Sequence, residues 1–572
     1  MTATASADPI DLQLQALHEG AKRWTTLPTS ERIRLLVAMR ERTAAEAERW
    51  ATAAAQAKGL TGTPLAGEEW ISGPWALLYA LNRYIQTLEQ IERHGSPALA
   101  PSRVRTRADG QVVADVFPES LWDALLLSGV RAEVWMQGGV TGENLAETMG
   151  VWYRSPERTP HVCLVLGAGN IASIPPLDVL YKLLADGSVC ILKMNPVNAY
   201  LGPIFEDIFS PLVDGGFVRF AYGGAEVGRY LCEHALVDEI HITGSDKTHD
   251  VIVFGSEETA KRKAENRPVL NKPITSELGN VSPTIVVPGP WTDADFRFQA
   301  ENIVTQKLHN GGFNCIASQV LILPEDWDGT AKLVAEIEAL LARLPDRPAY
   351  YPGAAARRDR LSTGHTIVRE FGRSDETFTA RTMVCASSGD PDDIVFGTEA
   401  FSSLLAYTAI EGATDAYLER AVAFANETLW GTLGANLIVH PKTMREHAAA
   451  CDKAIAALRY GCVAVNAWTG VGFLLTQTTW GAFPGHTIDD VRSGIGVVHN
   501  SHLFSRAQKS VVYAPFAPFP RSLAGYGGAL LPKPPWFVTN RKADSIGRAL
   551  CRFEAHPSAL GAATVALLAM QG

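Results

Sequence analysis

The chain has no Cys-x-x-Cys pair, no Cys/His cluster at zinc spacing, and no apolar run of the roughly 20 residues a bilayer requires. Its eight cysteines (163, 190, 232, 315, 385, 451, 462 and 551) are scattered. Five of them, Cys163, Cys190, Cys232, Cys451 and Cys462, fall in apolar runs or helical patterns and read as small buried hydrophobes. Neither a disulfide scaffold nor a metal site is therefore expected, and the cysteine usage fits a reduced, cytoplasmic chain. The stretch Ala559–Met570 is apolar, but it is rich in Ala and Gly and too short for a membrane span. The opening residues, MTATASADPIDLQLQALHEG, lack a basic segment followed by an apolar one, so no secretory leader is expected. Long basic runs are missing too. With 51 Lys+Arg against 61 Asp+Glu the formal charge is −10, which argues against a nucleic-acid partner.

What is present is enough apolar residue, 47% of 572, for more than one core, so two or three domains are expected. Residues 8–93 read as helical, with Arg32, Leu35, Leu36 and Met39 on a 3.6 period. The Pro/Arg/Gly-rich segment Ser96–Val113 reads as loop, and Glu133–Met136 and Val151–Tyr153 as short strands. From 161 the pattern becomes regular. Apolar runs at Val162–Leu166, Val189–Met194, Val218–Tyr222 and Glu239–Thr243 alternate with helical stretches at Leu177–Ala185, Pro203–Val213 and Glu226–Ala235. That alternation predicts βαβ crossovers and a parallel, Rossmann-like sheet. A second alternation follows 280, with strands at Thr284–Val287, Val320–Leu323, Leu404–Ile410, Asn436–Val439 and Cys462–Asn466. Helical patterns at 294–309, 330–343, 414–427 and 443–458 separate them. The last residues open with Pro-rich loops and end in a helical pattern at 541–555.

Three residues carry chemistry. Cys315 lies in the run His309–Pro324, between a helical pattern and a strand, among Gly and small polar residues. Such a loop can expose a thiol and let backbone approach a ligand. Glu277, in Thr275–Asn280, precedes a glycine and a buried strand, where a carboxylate can act as a base. Asn170, in Leu166–Ser173, follows the first strand of the Rossmann-like unit, where open α/β sheets bind ligands. The turn there is not GxGxxG. Each residue also has an ordinary alternative: a core cysteine, a solvated loop carboxylate, and an Asn in a βα turn.

Taken together and in order, these motifs resemble the aldehyde dehydrogenase superfamily over roughly residues 15–515. Glu277-Leu278-Gly279-Asn280 is similar to the family's base motif, and Asn310–Cys315 to its nucleophile loop. Asn170 falls at the oxyanion asparagine, and Lys193 follows at the family's interval. Gly223, Gly224 and Gly228 resemble the turn upstream of Thr243-Gly244-Ser245, and Asn466 falls at a Val-Asn strand end. Glu399-Ala400-Phe401 resembles the nicotinamide-site motif. The resemblance implies an α/β, aldehyde-dehydrogenase-like fold, with a Rossmann-like cofactor domain, a second α/β catalytic domain and a small oligomerisation hairpin. The implied organisation is N-terminal helices and part of the cofactor-binding domain at 1–125, the oligomerisation hairpin or insertion at 126–158 and the NAD(P) domain at 159–278. The catalytic domain would take 279–490, a return segment with the late strand 491–516, and an appendage 517–572.

The implied reaction is oxidation of a small-molecule aldehyde to the acid with NAD or NADP. Cys315 would form a thiohemiacetal and then a thioester, Asn170 would hold the oxyanion, and Glu277 would activate water. Lys193, Gly224, Gly228, Gly244, Ser245, Glu399 and Phe401 would contact the cofactor. A homodimer or homotetramer is implied. The pattern departs from the family in four places. Pro196 replaces a ribose-chelating Glu, which leaves NAD against NADP open, and His249 replaces a glycine. The stretch 250–272 is long and basic, and could be solvated surface or a phosphate contact. Phe313-Asn314 precede the cysteine where Gly-Gln is common. Trp468, Phe473, Trp480 and Phe483 could line an apolar tunnel or pack in the core. The alternatives are a CoA-acylating reductase on the same fold, a cysteine-dependent esterase, and an inactive binding protein.

Overall fold

The computed structural model describes residues Pro9 to Gly572; the first eight, where the helical reading and the leader reading begin, lie outside the described residues. Two long helices, Pro9–Thr26 and Thr29–Ala57, open the described chain, and Ala76–His94 follows. Arg32, Leu36 and Met39 face inward as their spacing predicts. The Arg32 guanidinium donates to the Trp24 carbonyl at 2.6 Å and lies over the Trp152 ring at 4.7 Å, so it is buried with partners.

A six-stranded sheet runs, in spatial order, Gly494–Ile495, Ile274–Leu278, Glu239–Gly244, Val162–Leu166, Val189–Lys193 and Val218–Ala221. All neighbours are parallel except the first pair. The order of connection reverses beside Val162–Leu166, so Gly167–Asn170 leaves the sheet at its switch point, where a crevice opens. An eleven-stranded sheet carries the second alternation. Its centre is parallel: Cys462–Val465, Gly434–Ile438, Ser282–Val286, Ser318–Pro324, Leu404–Ile410 and Arg381–Cys385. Gly279, Asn280 and Val281 alone separate the strand Ile274–Leu278 of the smaller sheet from Ser282–Val286 of the larger, which places Glu277 at their junction.

The hairpin strands Val112–Phe117 and Arg131–Met136 extend the larger sheet by pairing antiparallel with Ala507–Tyr513 of the same chain. The C-terminal segment packs back on the N-terminal layer through the helix Ala543–Ala555, with the Trp70 indole donating to Asp544 at 3.0 Å. Val151–Tyr153 does not form a strand; it belongs to the short helix Val151–Arg154, entered through Gly150 at φ 59°. The expected loop 96–113 contains a strand, Val104–Thr106, paired with Val112–Phe117. The single helix expected over 443–458 is broken at His447. Among the described residues no helix is long and apolar enough to cross a membrane.

Candidate active site

One cavity of about 1170 Å³ runs from the C-terminal ends of the six-stranded sheet to the junction of the two sheets. Asn170, Lys193, Gly224, Gly228, Gly244, Ser245, Glu277, Cys315, Glu399 and Phe401 all line it. The structure thus gathers every candidate site residue of the sequence around a single space.

Cys315 is half-buried at the start of a turn after the helix Asp293–Leu308. The chain reaches it through three successive left-handed residues, Asn310, Gly311 and Gly312, at φ 53°, 70° and 84°. A Cβ on Gly312 would collide with the Ser402 carbonyl, so this turn needs a glycine there. Glu277 lies on the strand Ile274–Leu278 and is buried rather than solvated. Burial pushes its carboxyl up to about 8, while a hydrogen bond from the Cys315 thiol opposes the rise. The thiol is pushed well above its ordinary range by burial and then by the Glu277 carboxylate beside it. The two groups thus form a couple, in which the carboxylate raises the proton affinity of the thiol.

Asn170 is fixed by a clamp that the sequence did not reveal. Its backbone carbonyl accepts from the Lys58 ammonium at 3.1 Å, the Asn310 amide at 3.1 Å and the Tyr350 hydroxyl at 2.9 Å. Lys58 pairs with Glu69 at 2.8 Å, and both are buried. The Asn170 side-chain amide donates to the Phe313 carbonyl at 2.9 Å, tying it to the cysteine loop. Beside this, Glu68 pairs with Arg347 at 3.1 Å. Burial works against the Glu68 carboxylate, yet Arg347, His309 and the Asn310 N–H hold it below the ordinary carboxylate range. Lys58 ends a long helix and Tyr350 lies in a stretch without periodicity, so no local signal marks either one.

The rest of the cavity is shaped for a nucleotide. A Cβ on Gly224 or Gly228 would meet no atom within 4 Å, so a ligand can lie against that backbone. Ser245 caps the helix Asp246–Phe254, accepting from the Thr248 N–H at 3.2 Å. Lys193 is largely buried with no acidic partner among the described residues, and burial lowers its ammonium pKa. Glu399 accepts from the Asn280 N–H at 3.2 Å; burial pushes its carboxyl up to about 8. A Cβ on Gly279 would collide with that carboxylate. Phe401 adopts φ 38°, a costly conformation, and Arg357 donates to its carbonyl at 3.0 Å. Arg357 also lines the cavity and was missed by the motifs.

Two readings left open by the sequence bear on this cavity. The basic stretch 250–272 pairs in part with itself, and its Arg262 and Lys272 also line the cavity. Lys272 donates to the Cys232 and His234 carbonyls, Arg262 to that of Phe254, and Lys263 pairs with Asp250. Lys261 pairs with Glu258 and Arg267 with Glu265. Trp468, Phe473 and Trp480 are core residues: the Trp468 indole donates to the Ile316 carbonyl at 3.3 Å, and Phe473 packs on Trp480 with centroids 5.4 Å apart. Neither these three nor Phe483 lines the large cavity.

Residues 159–476 match the aldehyde dehydrogenase family. The chain is 26% identical over 195 residues to 4-trimethylaminobutyraldehyde dehydrogenase of Bos taurus, covering 34% of this chain and 36% of that one. The match thus spans little more than a third of this curated relative's length. A crystal structure of an NAD-dependent aldehyde dehydrogenase from Sinorhizobium meliloti has the same fold, with a TM-score of 0.60, 17% identity, and coverage of 89% of this chain and 87% of that one. So does an NADP-dependent glyceraldehyde-3-phosphate dehydrogenase from Bacillus halodurans C-125 complexed with NADP, at 0.59, 18%, 89% and 91%. With a family match across residues 159–476 and the family's motifs gathered around one cavity, the chain belongs to the aldehyde dehydrogenase family.

Proposed function

We propose that the protein oxidises an aldehyde to its carboxylic acid with NAD or NADP, through Cys315. The observation that carries this reading is the Cys315–Glu277 couple at one end of a cavity whose other end presents open glycine backbone and the Lys193 ammonium. Those residues suit a dinucleotide: Gly224, Gly228, Gly244 and Ser245 the pyrophosphate, Lys193 the adenosine ribose, Glu399 and Phe401 the nicotinamide end. When bound, the nicotinamide supplies the hydride acceptor. The rest is chemistry of the chain. Glu277 takes the thiol proton, and the thiolate attacks the carbonyl carbon. Asn170 uses one amide hydrogen on the Phe313 carbonyl and keeps the second for the oxyanion, together with the Cys315 backbone N–H. After oxidation the acyl group remains on sulfur. Glu277 then draws a proton from water, the water oxygen attacks the acyl carbon, and the C–S bond breaks.

Water is favoured over CoA as acyl acceptor because a base stands against the thiol. The test is absorbance of the reduced nicotinamide with an aldehyde panel, with and without CoA. Aldehyde-dependent reduction without CoA is expected. Reduced-cofactor consumption that requires acyl-CoA, with no aldehyde oxidation, would replace this reading by the reductase. Glu277→Gln should keep a burst of reduced cofactor and lose steady turnover; unchanged steady turnover would remove Glu277 from the role of base.

A further inference from the structure

In the reading above Glu277 accepts a proton twice per turnover, first from the thiol and then from water; the second returns to the thiolate that hydrolysis expels, so only the first has to leave the site. Glu277 is buried, so it must be emptied between the two steps. Salt bridges offer no route: no lysine or arginine lies within ion-pairing distance of Glu277 among the described residues. Another polar group does lie behind it.

Glu277 and Thr243 are paired in register on neighbouring parallel strands, as are Thr275 and His241, so the four side chains share one face of the sheet. The helix Ile174–Tyr181 lays Asp178 over that face. The Thr243 hydroxyl donates to Asp178 Oδ2 at 2.7 Å and lies 3.3 Å from His241 Nε2. His241 Nε2 is 3.6 Å from the same Asp178 oxygen, and its Nδ1 is 2.9 Å from the Thr275 hydroxyl. Asp178 and His241 are both almost wholly buried, at 1% and 2% exposure, which is costly for a carboxylate without a cation. Asp178 Oδ1 and Glu277 Oε1 each lack a protein hydrogen-bond partner. Cys315 and Glu399 face Glu277 from its other sides. His499 and Tyr84 face Asp178; burial pushes His499 down to about 4 and Tyr84 well up, so both stay neutral.

We infer that Asp178 and His241 are the proton acceptor of Glu277: a buried carboxylate–imidazole pair, bridged by the Thr243 hydroxyl, that empties the base between thiol attack and hydrolysis. In the first step the S–H bond breaks, the S–C bond forms and the proton reaches Glu277. The proton then moves to the Asp178–His241 pair and leaves it through the Thr275 hydroxyl, which lies 2.9 Å from His241 Nδ1 and is partly exposed. In the second step water loses a proton to the emptied Glu277 while its oxygen bonds the acyl carbon and the C–S bond breaks. Asp178 and His241 touch no substrate; they are positioning residues that act through Glu277. Asp178 also keeps the base strong, because its negative charge raises the proton affinity of Glu277.

The inference rests on the roles proposed for Cys315 and Glu277. Its test uses the whole protein, first without cofactor. The pH dependence of iodoacetamide alkylation at Cys315, read by peptide mass spectrometry, reports the Cys315–Glu277 couple directly. Asp178→Asn should move that profile to lower pH by about one unit, since a neighbouring negative charge is gone. With cofactor and aldehyde, Asp178→Asn and His241→Gln should each slow the steady phase roughly tenfold at unchanged KM. If Asp178→Asn does not fold, His241→Gln carries the test alone, because a glutamine can still bond Thr275. Alkylation and steady-phase pH profiles that match the wild type in the folded variants would overturn the inference. So would burst and steady phases that fall together with unmoved profiles, the signature of a structural role. Cys315→Ala and Glu277→Gln separate the two levels. A Cys315→Ala protein that still reduces cofactor sinks the proposed function. If both controls behave as expected and Asp178→Asn and His241→Gln titrate as wild type, only the proton-acceptor inference fails.

Discussion

Two buried polar clusters flank Cys315, and they are wired in opposite ways. On the Asn170 side opposite charges meet: Lys58 with Glu69 at 2.8 Å and Arg347 with Glu68 at 3.1 Å. On the Glu277 side like charges gather. Asp178, Glu277 and Glu399 interact electrostatically, and none has a lysine or arginine within ion-pair distance among the described residues. The first arrangement holds geometry, because three donors converge on one carbonyl and leave Asn170 a single position. The second shifts protonation, because burial pushes the Glu277 and Glu399 carboxyls up to about 8. An oxyanion donor has to stay still, and a base has to exchange protons. The two clusters divide those tasks.

The largest expected effect lies at the point both clusters serve. Cys315→Ala should abolish the burst of reduced cofactor in stopped-flow absorbance, with the fold unchanged by circular dichroism. Next is the paired side. Lys58→Met strands the buried Glu69 carboxylate and should cost about 3–5 kcal/mol in a denaturant melt. Removing Glu69 as well, as Lys58→Met/Glu69→Leu, should recover much of that loss; a double variant no better than the single one would break the contrast. Asn170→Ala should slow the burst by about 3 kcal/mol of barrier, roughly a hundredfold, at nearly unchanged stability.

The unpaired side should show a weaker, pH-dependent signature. Glu277 holds its proton in the folded state up to about 8 but loses it near 4.5 when unfolded. Between those values the folded protein binds more protons, so this group's contribution to stability falls as pH rises from about 4.5 to about 8. Glu277→Gln should therefore melt higher than the wild type at pH 9 and about equally at pH 4. Steady turnover of the wild type should rise through about pH 8 as the base empties. The smallest effect is at the cofactor's far end. Lys193 has no carboxylate beside it, so both cofactors should support turnover. Pro196→Glu should shift the kcat/KM ratio toward NAD by about tenfold, through repulsion of a 2′-phosphate.

Much of the molecule is legible in the chain. Continuous apolar runs between helical stretches locate the central strands of both sheets, because burial on both faces makes those strands apolar. The ordered motifs locate ten residues that meet at one cavity, because each motif specifies a local backbone conformation: a left-handed turn at Asn310–Gly312, a helix cap at Ser245, a glycine under Glu399. Edges were less visible. Val104–Thr106 and Val368–Phe371 are short and exposed, so little apolar pattern marks them.

Cys315 stood out by sequence alone only through its neighbours in order, and the chain itself determined that much: which loop bears the thiol, and which strand end bears the carboxylate. What that thiol and that carboxylate can do was decided by the tertiary structure. Lys58 reaches Asn310 across 252 positions, Tyr350 reaches Asn170 across 180, and Thr243 reaches Asp178 across 65. The physical reason is that a motif records backbone shape over a few residues. Proton affinity instead depends on which charges and how much water lie within a few ångströms, and packing brings those together from distant parts of the chain.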